Sequence, residues 1–106
     1  MTGMDDREKG FENKYAHDQE LEFKAVVRRN KLLGLWAAEL MGLTGEDAEA
    51  YSKEVIKSDF EEAGDEDVFR KVRGDFDKNG VEQSDHQIRR HMDELLEVAR
   101  QEIYSE

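Results

Sequence analysis

The chain has 106 residues and neither cysteine nor proline, which suffices for one domain with a modest core and excludes a disulfide framework. Its net charge of -11 disfavours nucleic acid as a partner, because the phosphates would be repelled. The N-terminus lacks an apolar signal core, and the most apolar stretch, residues 32–43, is too short to cross a bilayer. We therefore expect a cytoplasmic protein that does not insert into membranes.

Residues 1–17 form the first distinct segment. They are highly charged, and Phe11 and Tyr15 stand at helical spacing with little other apolar surface. Such a segment is predicted to be loosely ordered when free and could become helical against a partner. On spacing alone, an ordinary loose terminus without function is the plainer interpretation.

The first helix of the folded part is predicted from Asp18 to Met41, with Gly42 as its end. Its apolar stripe comprises Ala25, Leu32, Leu33, Trp36, Ala37 and Leu40. Trp36 lies in the middle of this stripe. That position favours a core anchor over a ligand platform.

A second helix is predicted to open at the candidate N-cap Thr44 and to close at Gly64. Its inner face comprises Ala48, Tyr51 and Val55, extended by Ile56 and Phe60. A third helix is predicted from Asp65, and Asn79-Gly80 suits its C-terminal cap. Its apolar stripe comprises Val68, Phe69, Val72 and Phe76.

The fourth helix has the strongest signals. Ser84 and Gln87 match the capping box S-x-x-Q. One face then carries Ile88, Met92, Leu95, Leu96, Ala99 and Ile103. No segment alternates with period two, so residues 18–106 are predicted to form an all-α four-helix bundle.

The stretch DFDKNGVEQSDH, residues 75–86, resembles half of a calcium-binding EF-hand loop. Asp75, Asp77, Asn79 and Gly80 match loop positions 1, 3, 5 and 6. Position 12 requires a bidentate carboxylate and is His86 here, and an imidazole does not supply two hard oxygens. A degenerate EF-hand-like protein is therefore a secondary alternative, and a helix joint is favoured.

Catalytic and metal-binding patterns are absent from the sequence. His86 and His91 are five residues apart and fall on different helix faces, so a paired metal site is not expected. The sequence has no phosphate-binding G-x-x-x-x-G-K-[ST] loop, and no nucleophile has a convincing base partner. We expect neither an enzyme nor a required cofactor.

Charge is distributed unevenly along the chain. Residues 24–38 carry Lys24, Arg28, Arg29 and Lys31 and no acid, whereas residues 39–67 carry many acids. This distribution suggests a polarised surface, although charge runs are usually solvated helix faces. A generic acidic interaction protein is thus another alternative.

Three strings together resemble the ζ subunit family of the α-proteobacterial F-type ATP synthase. They are REKGFENKYAHDQELEFKAVVRRNKLLGLWAAELMGL at 7–43, DFEEAGDEDVFRKV at 59–72 and SDHQIRRHMDELL at 84–96. The resemblance covers essentially the whole chain and implies a four-helix bundle. It also implies a regulatory subunit that stops the synthase from hydrolysing ATP, bound peripherally at the inner membrane and monomeric when free.

The resemblance further implies that the N-terminal segment is the inhibitory element. It would dock into a catalytic αβ interface beside the rotor, while the bundle anchors the complex. In this chain the candidate contacts are Arg7, Lys9, Phe11, Lys14 and Tyr15.

Family members are also reported to bind ADP or ATP on the bundle. By charge, the candidates here are Arg28, Arg29, Lys31, Arg89 and Arg90. The alternative for these five side chains is salt bridging to acids of neighbouring helices.

Overall fold

The structure, a computed structural model, describes residues 3–60 and 65–105, with side chains for 18–60 and 65–105. These residues contain four α-helices and no strand, which confirms the predicted all-α four-helix fold. The helices are α1 Gly3–Leu40, α2 Gly45–Ser58, α3 Glu66–Asn79 and α4 Asp85–Tyr104.

Helix α1 is much longer than predicted. Its helical backbone begins at Gly3 instead of Asp18 and continues without a break to Leu40. No proline interrupts the segment, and most of its residues tolerate a helical backbone well. At 1.5 Å per residue, a helix of 38 residues is about 57 Å long, which accounts for most of the 66 Å longest dimension.

Helix α2 begins after Thr44, as predicted, in extended backbone, although the Thr44 side chain makes no capping hydrogen bond. The helix ends at Ser58, well before the predicted end at Gly64, which lies outside the described residues. The expectation that Phe60 lies on the inner face is wrong, because its side chain is 68% exposed beyond the helix end. Leu40 is likewise exposed, at the last turn of α1.

The predicted boundaries of α3 and α4 are confirmed by their caps. Gly80 ends α3 with φ of 67°, and the following Val81 N–H donates to the Phe76 carbonyl at 2.9 Å. Ser84 Oγ accepts from Gln87 N–H at 3.1 Å, while Ser84 N–H donates to Gln87 Oε1 at 2.8 Å. This reciprocal pair is the predicted capping box.

Helix α1 is the centre of the bundle, with α2 and α4 packed along it. The α1–α2 approach is closest at Gly34, where an added Cβ would lie 2.6 Å from Ser52 Cα. Trp36 packs against the core as predicted and meets Phe76 edge to face, with the two ring centroids 5.5 Å apart. The main core contains Leu33, Ala37, Ala38, Tyr51, Val55, Val68, Phe69, Val72, Phe76, Ile88 and Met92.

A second, smaller apolar cluster lies between α1 and the C-terminal half of α4. Ala25, Ala99 and Ile103 are buried there, with Leu21 and Leu32 packed against them. Within the described parts of the chain, no helix has the length and apolar character needed to span a bilayer.

Candidate functional site

The predicted inhibitory segment is the beginning of α1. Its helical backbone is described from Gly3, and Phe11 and Tyr15 are one turn apart on it. The side chains of residues 1–17 lie outside the described residues, and with them the predicted contacts, namely Arg7, Lys9, Phe11, Lys14 and Tyr15. These roles stay predictions.

The end of α4 lies beside the part of α1 that follows this segment. Helices α1 and α4 run antiparallel, and Arg100 binds the Glu22 carboxylate with both Nε, at 3.1 Å, and Nη2, at 2.6 Å. Helix α4 ends at Tyr104, and the α1 side chains packed against it begin at Leu21. The helical residues before 18 add about 22 Å of backbone. We call residues 1–17 the arm.

Of the five predicted nucleotide-binding cations, Arg29 is buried. Its side chain is 1% exposed and lies between α1 and the start of α3. Arg29 Nη2 donates to Asp65 Oδ1 at 2.7 Å, and Nε donates to Asn30 Oδ1 at 2.7 Å. A buried guanidinium thus pairs with a half-exposed carboxylate, as the salt-bridge alternative predicted.

Arg89 is also engaged with the start of α3. It donates to both oxygens of Glu66, at 3.0 and 3.2 Å, and its guanidinium lies 3.9 Å from the Phe69 ring centroid. The hydrogen bond from Arg89 lowers the pKa of Glu66 below its ordinary value. Arg89 thus links α4 to α3 through one ion pair and one cation–π contact.

Arg90 lies beside an aromatic stack near the N-terminal end of α4. The His91 ring stacks on Trp36 at 4.1 Å between centroids. A cleft of about 360 Å³ opens beside them and is lined by Gln83, Gln87, Arg90, His91 and Glu94. Arg90 Nε donates to Glu94 at 2.8 Å across one helical turn, an exposed pair of small energetic weight.

Arg28 and Lys31 share a groove at the base of the arm, between α1, α2 and α4. Arg28 Nη1 donates to Glu102 of α4 at 3.2 Å. The groove has a volume of about 420 Å³ and is lined by Phe23, Lys24, Val27, Arg28, Lys31, Ile56 and Ile103. The five cations therefore occupy four separate places instead of one cluster.

Sequence reasoning missed the apolar part of this groove. Phe23 and Val27 belong to α1 and lie off its main apolar stripe, whereas Ile56 lies near the end of α2, a long way along the chain. The one available signal was the basic band at 24–38, whose members Lys24, Arg28 and Lys31 form the edge of the groove.

The calcium-loop alternative is not favoured by the geometry. Asp75, Asp77 and Asn79 belong to helix α3, where residues two apart point to nearly opposite faces. The Asp75 carboxylate accepts from Tyr51 Oη at 2.8 Å and pairs with Lys71 at 3.0 Å. Burial, and then this hydrogen bond, raise the pKa of Tyr51. Among the residues that the structure describes, no group of three or more His, Asp or Glu side chains could hold a metal.

Comparisons with known proteins agree with the resemblance drawn from the sequence. A solved solution NMR structure shares 47% identity, covers 80% of this chain and 96% of its own, and superposes with a TM-score of 0.71. A comparison with curated proteins returned no match. The family model described as ATPase inhibitor subunit zeta matches residues 1–102. Because that match spans nearly the whole sequence, the chain belongs to the ATPase inhibitor subunit zeta family.

Proposed function

We propose that this protein binds the F-type ATP synthase and blocks ATP hydrolysis by inserting the arm into a catalytic αβ interface beside the rotor. Membership in an inhibitor-subunit family gives the regulatory role, and no catalytic activity of its own is part of the proposal. The bundle then stays outside the catalytic interface and anchors the complex on the cytoplasmic side of the membrane.

The single observation that carries the proposal is the continuity of α1. One helix contributes Ala25, Leu33 and Ala37 to the buried core and also extends through the arm. The arm therefore leaves the bundle in a direction set by packed residues. A helix of about four turns is narrow enough to enter a crevice between subunits, which a whole bundle is not.

Energetically, the arm suits reversible docking. An isolated helix of 15 residues or fewer is marginal in water, so part of the binding energy goes into ordering the arm. That cost lowers affinity per unit of buried area and permits release when the synthase runs forward. Phe11 and Tyr15 would supply apolar contacts, and Arg7, Lys9 and Lys14 would meet acidic groups.

A truncation tests the proposal. The chain without residues 2–15 keeps all residues of both apolar clusters, so its thermal melting should match that of the full chain. Added to cognate ATPase depleted of this subunit, the truncated chain should leave ATP hydrolysis uninhibited, whereas the full chain should inhibit it. Unchanged inhibition by the truncated chain would reject the arm as the inhibitory element.

Adenine-nucleotide binding is a second part of the proposal, and we assign it to the Arg90–His91 cleft. Of the places occupied by the five cations, this one puts a guanidinium beside a stacked aromatic pair and the amide groups of Gln83 and Gln87. Arg90 would contact phosphate, and the His91 ring would contact the base.

The assignment has a direct readout, because Trp36 is the only tryptophan and stacks on His91. Titration with Mg-ADP should change Trp36 fluorescence in the full chain. Arg90→Gln should weaken this response, and Lys31→Gln, in the separate groove, should not. A response lost with Lys31→Gln and kept with Arg90→Gln would move the nucleotide to the groove.

A further inference from the structure

The groove at the base of the arm combines an apolar floor with one basic edge. Its floor is formed by Phe23 and Val27 of α1, Ile56 of α2 and Ile103 of α4. Phe23 is 59% exposed although it is a large aromatic side chain. Phe60, one turn beyond Ile56, is exposed as well. Ile103 is only 6% exposed, so the uncovered apolar strip comes from α1 and α2, and such a strip is typical of a surface that binds another protein.

The charge of this edge is opposite to that of the protein as a whole. Lys24, Arg28 and Lys31 stand at i, i+4 and i+7 along α1 and all line the groove. They belong to a stretch of residues, 24–38, that holds four cations and no acid in a chain of net charge -11. Lys24 contacts Glu20 at 3.5 Å and Arg28 contacts Glu102 at 3.2 Å. Both are surface ion pairs of small energetic weight, for which an acidic partner can compete, so the edge complements such a partner better than the rest of the acidic surface does.

The position of the groove relates it to the arm. Phe23 and Lys24 lie within two turns of the last arm residue on the same helix. Any large partner that encloses the arm consequently has its own surface next to the groove. A contact there needs no additional molecule.

We propose that the groove binds an acidic amphipathic helix of the same ATPase, as a second attachment point beside the arm. This inference rests on the proposed function. The aliphatic face of the partner helix lies on Phe23, Val27 and Ile56, and its Asp or Glu side chains face Lys24 and Lys31. This is the helix-in-groove mode of recognition, in which apolar anchors give affinity and flanking charges fix orientation.

Two attachment points on one continuous helix have different roles. Binding at the groove holds the arm at high effective concentration near its own site, so affinity rises without any change in how the arm blocks catalysis. Damage to the groove should then weaken binding while leaving inhibition complete at saturation. Substitutions in the arm should instead lower maximal inhibition while binding through the groove persists.

The test uses two full-length variants and two matched controls. Phe23→Ser removes an exposed apolar anchor and Lys31→Glu reverses an exposed charge. Val98→Ser and Lys53→Glu make similar changes at exposed positions outside the groove. We expect each groove variant to raise the Kd for subunit-depleted ATPase about tenfold, as hot-spot truncation does, with maximal inhibition unchanged. The controls should bind like the unaltered chain.

Groove variants that bind no worse than the controls would overturn the inference, even if the truncated chain confirms the arm. Conversely, an inhibitory truncated chain that still needs Phe23 for binding would sink the proposed function and leave the groove standing. A photo-crosslinking residue in place of Phe23 identifies the occupant. Capture of an acidic helix of the ATPase supports the inference, whereas capture of a second copy of this chain, or displacement by Mg-ADP, contradicts it.

Discussion

Replacing Asp65 should reveal how much the buried Arg29 depends on this acidic partner. Arg29 is 1% exposed, so its charge cannot turn to water when Asp65 is replaced by alanine. The only other hydrogen bond that it donates to a described side chain goes to the neutral Asn30. Asp65 stands at the N-cap of α3 but makes no side-chain capping bond, so the substitution tests the ion pair without removing a cap.

The size of the effect follows from the exposure of the two partners. Exposed ion pairs contribute about 0–1 kcal/mol, and breaking a buried pair costs about 3–5 kcal/mol. Asp65 is 53% exposed while Arg29 is not, which places Asp65→Ala between these limits, at about 2 kcal/mol of lost stability. For a domain of this size that corresponds to a fall in Tm of roughly 10 °C.

Urea unfolding followed by far-UV circular dichroism measures this loss, and a double-mutant cycle isolates the pair. Arg29→Met combined with Asp65→Ala should cost less than the two single changes added together, because the double variant leaves no unpaired charge. Glu94→Ala, which breaks the exposed Arg90–Glu94 pair, is the control and should change stability by no more than about 0.5 kcal/mol. An Asp65→Ala effect as small as this control would refute the reasoning.

Four further substitutions test helix packing, helix propensity, a cap and a pH dependence. Gly34→Ala should destabilise by about 1–3 kcal/mol in urea unfolding, because the new Cβ meets α2 backbone at 2.6 Å. Gly74→Ala, in open space within α3, should stabilise by about 0.5–1 kcal/mol, whereas Gly80→Ala, at φ of +67°, should destabilise by about 1 kcal/mol. Arg89 lowers the pKa of Glu66, so the ionised Glu66 carboxylate stabilises the fold above pH ~4.3, and this stabilisation is lost as the pH falls further. The stability of Glu66→Gln should therefore decline less on acidification than that of the unaltered chain.

The sequence predicted the helices best where local chemistry sets the boundary. Ser84 with Gln87 and the glycine at position 80 act within one turn, so the caps of α3 and α4 could be assigned without tertiary information. The start of α1 could not. No proline between residues 3 and 18 stops a helix. The sparse apolar surface of this segment predicts that it packs weakly against the bundle, but it does not predict a non-helical backbone.

The exposure of several side chains depends on tertiary contacts that the sequence does not reveal. Leu40 continues the apolar stripe of α1, but α1 ends at this residue and its side chain stays exposed. Arginine is usually a surface residue. Arg29 is buried because Asp65, 36 residues later in the chain, forms an ion pair with it at the start of α3. The groove likewise needs Ile56 and Ile103 brought to α1 by packing. Pairings of this kind follow from the tertiary structure and from no local rule.

The long shared helix makes arm and bundle mechanically dependent on each other. Small residues at Gly34, Ala37 and Ala38 let α2 and the core pack closely on α1, so the helix cannot rotate about its axis without breaking that packing. Rotating α1 about its axis by one residue, about 100°, would also turn Lys24 and Lys31 away from the groove. In the proposed complex the arm is helical, so the α1 packing that sets the rotation of the groove residues also sets the rotation of the docked arm. A substitution in the α1 core should therefore disturb both proposed contacts together.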